Sequence, residues 1–557
     1  MTSEGASDRS HSDSPGPDRG SSAVAGGILL SRLAGLVRES LLRSVLALGP
    51  AADAFAAALR IPNVLQNLLG EGSLSASFIP VYSRLLGEGR EREAGRVAGA
   101  VAGLLAALAG ALTVAGILLA RPITRLLTPG FGGARLDLTV DLVRITTAGV
   151  GFLVLSAWCL GVLNSHRRFF LSYVAPVLWN SVQIAVLAAA LVGGWDPVDA
   201  ATALAWGLVA GGVLQFGVQA AAVRRIAPDI RLSVALHLPQ VAEIRRRFGP
   251  AVLGRGVVQL SGYLDLVLAS LLATGAVAGL LSAQMLYALP VALFAMSVAA
   301  AELPEMSRAT DAGVLVDRYT GALRRTSFFV VFSAVAYVVI GVLIVGALFQ
   351  WGSFDSDDTL AVSLVLGAYA LGLPAIGASR ICQNTLYAIG DTRGPARIAG
   401  IRVAVAAAIG LALMFPLDRV SVVAGSLSGV DDILGYNGAG TGVLDSVATA
   451  PHLGAVGLAL GSAVAAWLEL LLLGRLAGRS VAGLPRPAGV LVPLVPAAGA
   501  ALAVGALLRL ATGDIAPQLA APLALLVAGG AYTVVARLTG VAEAGLVLDP
   551  ILRRLRR

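Results

Sequence analysis

The sequence contains no lysine: all 41 of its basic side chains are arginine. A P-loop nucleotide site needs a lysine and Schiff-base catalysis needs an amine, so both are excluded within this chain. Any ATP-driven step would need a partner subunit. Cysteine is nearly absent as well. Cys159 and Cys382 each fall in an apolar run and read as packing residues rather than a disulfide. The four histidines are scattered, without metal-ligand spacing. Charge is sparse: 13% of the chain, against about 25% in a soluble domain. The net charge of +8 lies in loops, so it reads as membrane topology rather than nucleic-acid binding.

What the chain has instead is apolar length. It is 57% hydrophobic over 557 residues, with a mean hydropathy of +0.82. Many runs reach the roughly 20 residues that a helix needs to span a bilayer, and the alternating pattern of a β-barrel is missing. The fold class is therefore an all-α polytopic membrane protein. About 14 transmembrane helices are counted, near 24–47, 51–83, 97–120, 137–164, 171–193, 198–222, 248–273, 276–303, 322–349, 359–388, 396–416, 453–474, 487–509 and 517–540. The second is broken by Pro62 and several glycines.

Residues 1–22, polar and rich in Ser, Gly, Asp and Pro, read as a disordered cytoplasmic tail and not a signal peptide. Residues 23–225 form an N-terminal lobe of six helices and 245–480 a second lobe of six, with a Gly-, Ser- and Asp-rich external insertion at 417–450. Two more helices occupy 485–542, and 543–557 is a basic cytoplasmic tail. Alternate loops are Arg-rich, as in Arg84 to Arg96, Arg224 to Arg247 and Arg308 to Arg325, while Trp195 to Asp199, Ser353 to Asp358 and Asp418 to Asp445 are neutral, acidic or mixed. By the positive-inside rule both termini are cytoplasmic.

The two lobes look duplicated. Ile79-Pro80-Val81-Tyr82-Ser83-Arg84 recurs as Leu303-Pro304-Glu305-Met306-Ser307-Arg308, an offset of 224. Gly49-Pro-Ala-Ala pairs with Gly275-Ala-Val-Ala, and Ile61-Pro62 with Leu289-Pro290. Six helices per unit preserve orientation, so these are parallel repeats, an architecture that places substrate between two lobes and works by alternating access.

Charge enters the apolar runs chiefly over residues 30–84, where it is costly and marks function. On the first helix Arg32, Glu39 and Arg43 lie near one line, with Arg38 on a flank. On the second, Asp53, Arg60, Asn67 and Glu71 form a polar stripe with Asn63 beside it. Such stripes face another helix or a water-filled cavity, and arginine suits the bidentate grip of a phosphate. Mutual arginine–carboxylate pairing is the competing reading, and both hold if a carboxylate neutralises an arginine until an anion displaces it. Arg255, Gln259 and Asp265 sit within the seventh helix; Asp265 is the candidate for binding a coupling cation, Na+ or H+. Asp355-x-Asp357 looks like the metal pair of a sugar-nucleotide enzyme, or else a plain acidic loop.

These residues resemble the lipid II flippases of the MurJ (MviN) family, in the multidrug/oligosaccharidyl-lipid/polysaccharide exporter superfamily. The resemblance is carried by Ser31-Arg32-Leu33-x-Gly35-x-x-Arg38-Glu39, Asp53-Ala54-Phe55, Arg60-x-Pro62-Asn63, Glu71-Gly72 and Phe78-x-Pro80. Leu348-Phe349-x-x-Gly352-x-Phe354 and Tyr387-Ala388-x-x-Asp391-Thr392-Arg393 extend it to the second lobe. It implies a transporter, not an enzyme, without a cofactor. Its cargo would be a lipid-linked peptidoglycan precursor carried to the outer leaflet of the bacterial cytoplasmic membrane. Its partners would be membrane lipids and the cell-wall synthesis machinery. It also implies cavity arginines that hold the diphosphate, which Arg32 and Arg38 match. Gln66 and Met285 stand where two further arginines are expected, and Arg60 and Arg255 are the candidates to replace them. The rival readings are an exporter of another lipid-linked oligosaccharide or amphiphile, a membrane glycosyltransferase using Asp355 and Asp357, and a non-transporting scaffold.

Overall fold

In lipid every backbone N–H and C=O must be satisfied within the chain, and helices do this locally. The computed structural model, which describes residues 18–309, 311–430, 450–513 and 515–555, is accordingly almost entirely helical. The first lobe comprises α1 (Asp18–Leu46), α2 (Pro50–Ala58), α3 (Arg60–Leu69), α4 (Glu71–Gly87), α5 (Glu91–Leu118), α6 (Ala120–Leu127), α7 (Gly133–Ser165), α8 (Phe169–Gly193) and α9 (Pro197–Ile226). The second comprises α10 (Pro239–Ser270), α11 (Ala276–Pro290), a π-helical turn (Val291–Met296), α12 (Ser297–Ser307), α13 (Ala312–Val339) and α14 (Gly341–Phe349). It continues through α15 (Ser356–Ala370), α16 (Leu373–Ala388), α17 (Arg393–Leu417), a hairpin of β1 (Ser421–Val423) and β2 (Ser426–Ser428), and α18 (Gly454–Ser480). After it come α19 (Pro487–Leu491), α20 (Val495–Ala511), α21 (Pro517–Leu538) and α22 (Gly545–Leu555).

Among the described residues, eleven helices are long and apolar enough to cross a membrane. They fall on eleven of the fourteen expected segments. The other three are α1, the broken run α2–α4 and α10, which carry the charges singled out in the sequence.

The repeat is visible element by element. α5 and α13 are both 28 residues long, and each is followed by a short helix, α6 or α14. α7 and the run from Ser356 to Ala388 are both 33 residues, and α8 and α17 both 25. The second helix of each lobe is interrupted: the first at Leu59 and Gly70, its counterpart by the π-helical turn after Pro290. Proline removes a helical hydrogen bond and crowds the preceding turn, which accounts for the latter break.

Several boundaries differ from expectation. α1 starts at Asp18, inside the segment read as a disordered tail; residues 1–17 lie outside the described ones. α10 starts at Pro239, nine residues before 248. The ninth and tenth segments are each two helices, broken at Ile340 and at Leu371–Gly372. The insertion begins as the β1–β2 hairpin, while residues 431–449 lie outside the described ones. Within 543–557, residues Gly545–Leu555 are helical.

Apolar side chains gain little from leaving lipid for protein, so close backbone approach between small residues carries the packing of such helices. At Gly457 and Gly461 of α18 an added Cβ would lie 2.6 Å from Met414 N and 2.7 Å from Ala406 O of α17. The largest apolar cluster joins both lobes, with Phe55, Leu142 and Leu187 meeting Leu266, Leu280 and Phe349. A second belongs to the first lobe yet takes Val241 and Ile244 from the start of α10. α10 therefore packs on the first lobe at its beginning and joins the shared core at its end.

Candidate functional site

The site is the seam between the lobes, lined by α1, α2–α4, α10 and α11. On α1 the i, i+4 spacing of Glu39 and Arg43 produces a buried pair: Arg43 donates from Nη2 (2.8 Å) and Nε (3.2 Å) to Glu39 Oε1. Arg38 reaches the other oxygen of Glu39 more loosely, at 3.4 Å, and lays its guanidinium over the Trp179 ring, 5.4 Å from the centroid. Arg43 is 3% exposed at its side chain, whereas Arg38 is 21% exposed. Arg32 is exposed and has no ion-pair partner among the described residues, with Leu30, Leu33 and Val37 exposed around it. So α1 leaves Arg32 exposed and Arg38 partly exposed, and keeps a third arginine for its own carboxylate.

α1 meets the second lobe near its other end. Ser40 Oγ donates to Leu348 O, and Ser353 N donates to Ser44 O at 2.8 Å. Asp53 of α2 crosses the same seam. Its two oxygens accept Gly275 N and Ala278 N, both at 2.8 Å, so a carboxylate of one lobe caps the first turn of α11 in the other. Arg135 completes this closure, 3.4 Å from Asp53 Oδ2 and 3.3 Å from Thr274 Oγ1, stacked on Phe131 at 4.1 Å. Gly275 has φ +90°, and a Cβ there would run into Leu48 O, so glycine is what lets the lobes touch.

The expected stripe along the second helix is redistributed. Asp53 is 1% exposed and committed to this closure, so it is not available to a ligand in this structure. Arg60 points across the seam to Gly262 of α10, where a Cβ would sit 3.6 Å from its Nη1; its buried Nε has no partner. Asn63 and Asn67 are exposed, and Gln66 is half-buried. The ψ of −141° at Gly70 then ends the helical register before Glu71. The side chains of Glu71, Arg255 and Gln259 lie outside the described ones; only their helical backbone is placed.

Deeper in the second lobe, a cavity of about 340 Å3 is lined by Asp265, Gln284, Tyr287, Tyr369, Arg402 and Ser462 among others. Gln284 Nε2 donates to Asp265 Oδ2 (3.1 Å) and to Tyr369 OH (2.9 Å). Arg402 pairs with Glu469 at 3.2 Å, and Glu469 also accepts Gln383 Nε2 at 3.0 Å. Gln383 accepts in turn from Arg380 at 3.1 Å. Sequence reasoning missed Arg135, Trp179, Arg380, Arg402 and Glu469. Arg380, Arg402 and Glu469 carried the signal used on the first two helices, charge inside an apolar run; Arg135 fell in a loop before the 137–164 segment, and Trp179 had no signal of its own.

The acidic pair at 355 and 357 is structural. Asp355 caps α15 by accepting Asp357 N and Asp358 N, both at 2.9 Å. Asp357 accepts Ala424 N (2.9 Å) and Gly425 N (2.7 Å) from the β-hairpin turn. Among the described residues no three His, Cys, Asp or Glu side chains gather as a metal site. Both cysteines are buried and unpaired.

The family model for lipid II flippase MurJ matches residues 42–436. A probable lipid II flippase MurJ of Rhizobium tropici is 32% identical over 406 residues, covering 71% of this chain and 75% of that protein. The lipid II flippase MurJ of Burkholderia cenocepacia is 31% identical, covering 68% and 74%. A solved lipid II flippase MurJ in an inward closed conformation shares the fold at TM-score 0.70 and 21% identity, covering 95% of this chain and 99% of that one. An inward-facing multidrug resistance transporter of the MATE family, in the MOP superfamily, follows at TM-score 0.62 and 16% identity, covering 83% and 98%. The family match covers most of the chain and includes the closure around Asp53, and the chain belongs to the lipid II flippase MurJ family.

Proposed function

We propose that this chain is a lipid II flippase, a multi-pass transporter of the bacterial cytoplasmic membrane that carries lipid-linked peptidoglycan precursor to the outer leaflet. The observation that carries the reading at the level of chemistry is the asymmetry on α1. Arg43 satisfies Glu39, which leaves Arg32 without an ion-pair partner among the described residues and Arg38 loosely held and partly exposed. A diphosphate offers each guanidinium a charge-assisted, bidentate partner, which Glu39 at 3.4 Å does not offer Arg38. Arg60 and Asn63 extend the headgroup surface, Glu71 and Arg255 are assigned to it from the sequence alone, and Glu39 keeps Arg38 oriented between cargoes. The lipid tail stays in the bilayer.

The cross-lobe bonds of Asp53, Arg135, Ser44 and Ser353 close the end away from the arginine-rich loops. With those loops cytoplasmic, as the positive-inside rule has it, the seam loads from inside, and transport breaks these bonds as the lobes rock. Asp265 couples this motion to a cation or proton gradient, and moving one charge through 100 mV supplies about 2.3 kcal/mol. Cell-wall synthesis enzymes on the far side are the partners that consume the cargo. A different lipid-linked glycan is the second reading, favoured by Gln66 and Met285 at positions where the resemblance leads to arginine.

Complementation of a flippase-depleted bacterium tests this. The wild-type gene restores growth and Arg32→Ala does not, at equal membrane abundance. Failure of the well-expressed wild type would remove lipid II as cargo.

A further inference from the structure

The chain between the lobes, residues 227–238, has no regular secondary structure, and its path is specific. It runs along α5, contacting a track of glycines spaced four apart. A Cβ at Gly95 would lie 3.0 Å from Asp229 O, and at Gly99 and Gly103 it would collide with Arg231 O and Ser233 O. Ser233 N donates to Gly99 O at 3.2 Å. Ile230, Ala235 and Leu238 turn toward the core of the first lobe. The other side chains do the reverse: Leu232, Val234 and Leu236 alternate outward and are 73%, 62% and 49% exposed.

The helix beneath gives the depth. The 28 residues of α5 span about 42 Å, whereas a hydrocarbon core is about 30 Å thick. If all the surplus, about eight residues, projected beyond the membrane at the Glu91 end, the core would still begin near residue 99. Gly103, with Ser233 on it, is then inside. Extended backbone at that depth is tolerated only where protein buries its polar groups, and the glycine track does this for the carbonyls of Arg231 and Ser233. The chain climbs out again by Gln240, which donates to Glu93 in the first turn of α5. Exposed arginines flank the dip at 224, 225, 245 and 246, and Arg231 lies within it on Gly99, level with the start of the core.

We propose that the interlobe connector is a membrane-dipping strap. It inserts Leu232, Val234 and Leu236 into the acyl region of the leaflet on the arginine-rich side, while the flanking arginines bind headgroups of acidic phospholipid. The partner is the lipid leaflet itself, and the connector stays fixed to the first lobe. This holds whatever the transported cargo.

Site-directed nitroxides decide it in the full-length protein, in vesicles of phosphatidylethanolamine and phosphatidylglycerol, with Cys159 and Cys382 replaced by alanine. Labels at Leu232→Cys and Val234→Cys are expected to relax with oxygen and resist a nickel chelate, a ratio several-fold above that of Asp229→Cys. Adding Gly99→Leu lifts the strap and brings the Leu232 label toward the aqueous value. Nickel accessibility at 232 and 234 equal to that at 229 would overturn the proposal. So would protection from both reagents, which would mean a protein covers the strap. The labels in the unaltered glycine background distinguish these outcomes even if Gly99→Leu does not fold.

Discussion

Three arginines on one helix do different work because of how each is paired. Arg43 gives two hydrogen bonds to Glu39, at 2.8 and 3.2 Å, and is buried, so it belongs to the fold. Removing one partner of a buried pair typically costs about 3–5 kcal/mol, and Arg43→Ala is expected to lower the melting temperature and the amount of folded protein. Arg38 gives one long contact and stays open to the seam. Arg38→Ala is expected to leave the melting temperature nearly unchanged while slowing flipping in proteoliposomes about 10- to 100-fold, the equivalent of a lost charge-assisted bond of about 1.5–3 kcal/mol. The i, i+4 pairing on α1 was legible from residue spacing. That Arg38 rather than Arg43 is the accessible one was not legible from spacing, because Trp179 on α8 and the burial of α1 decide it; only the resemblance pointed to Arg38.

At the scale of elements, the closure rests on α11 borrowing its N-terminal cap from the other lobe. Gly275, the residue before α11, has no side chain to provide one, and Asp53 takes the place. Asp53→Ala removes two bonds to charge and strands Arg135, a loss of about 3 kcal/mol or more. It is expected to raise the reactivity of a cysteine placed at Thr274 toward a membrane-impermeant maleimide added outside. Gly275→Ala acts on the same closure in two ways, through left-handed strain of about 1–2 kcal/mol and through a Cβ that would run into Leu48 O, and should show the same change. Periodicity places Asp53 in a polar stripe facing another helix or a water-filled cavity, among the candidate headgroup residues. A partner 222 residues away gives it a different role, and nothing local to either segment encodes that pairing.

For the whole molecule, alternating access requires the Arg-poor end to open. Ser44 and Ser353 are joined there by a backbone bond between the lobes. A Ser44→Cys, Ser353→Cys double variant should crosslink under oxidation and stop flipping, and reductant should restore it; flipping that persists in the oxidised form would exclude opening at this point. Asp355→Asn and Asp357→Asn should leave flipping intact, with at most a loosened β-hairpin by proteolysis, because both carboxylates serve backbone caps. Loss of activity in these variants would revive the glycosyltransferase reading.

Sequence alone determined that this chain is helical, membrane-spanning and duplicated. A bilayer leaves an apolar chain no alternative to internal hydrogen bonding, and a repeat of helices is written in segment lengths and proline positions. It also located the charges of α1, α2 and α3. Tertiary structure decided what those charges do. Asp53 became a cap and Arg60 came to lie beside Gly262 of α10, while Arg402 and Glu469, which sequence reasoning missed, form a pair joining α17 to α18. It likewise turned an irregular connector into a strap on the glycines of α5. The physical reason is range: helix periodicity acts over a few residues, while the pairing of a buried charge is set by whichever helix is packed against it.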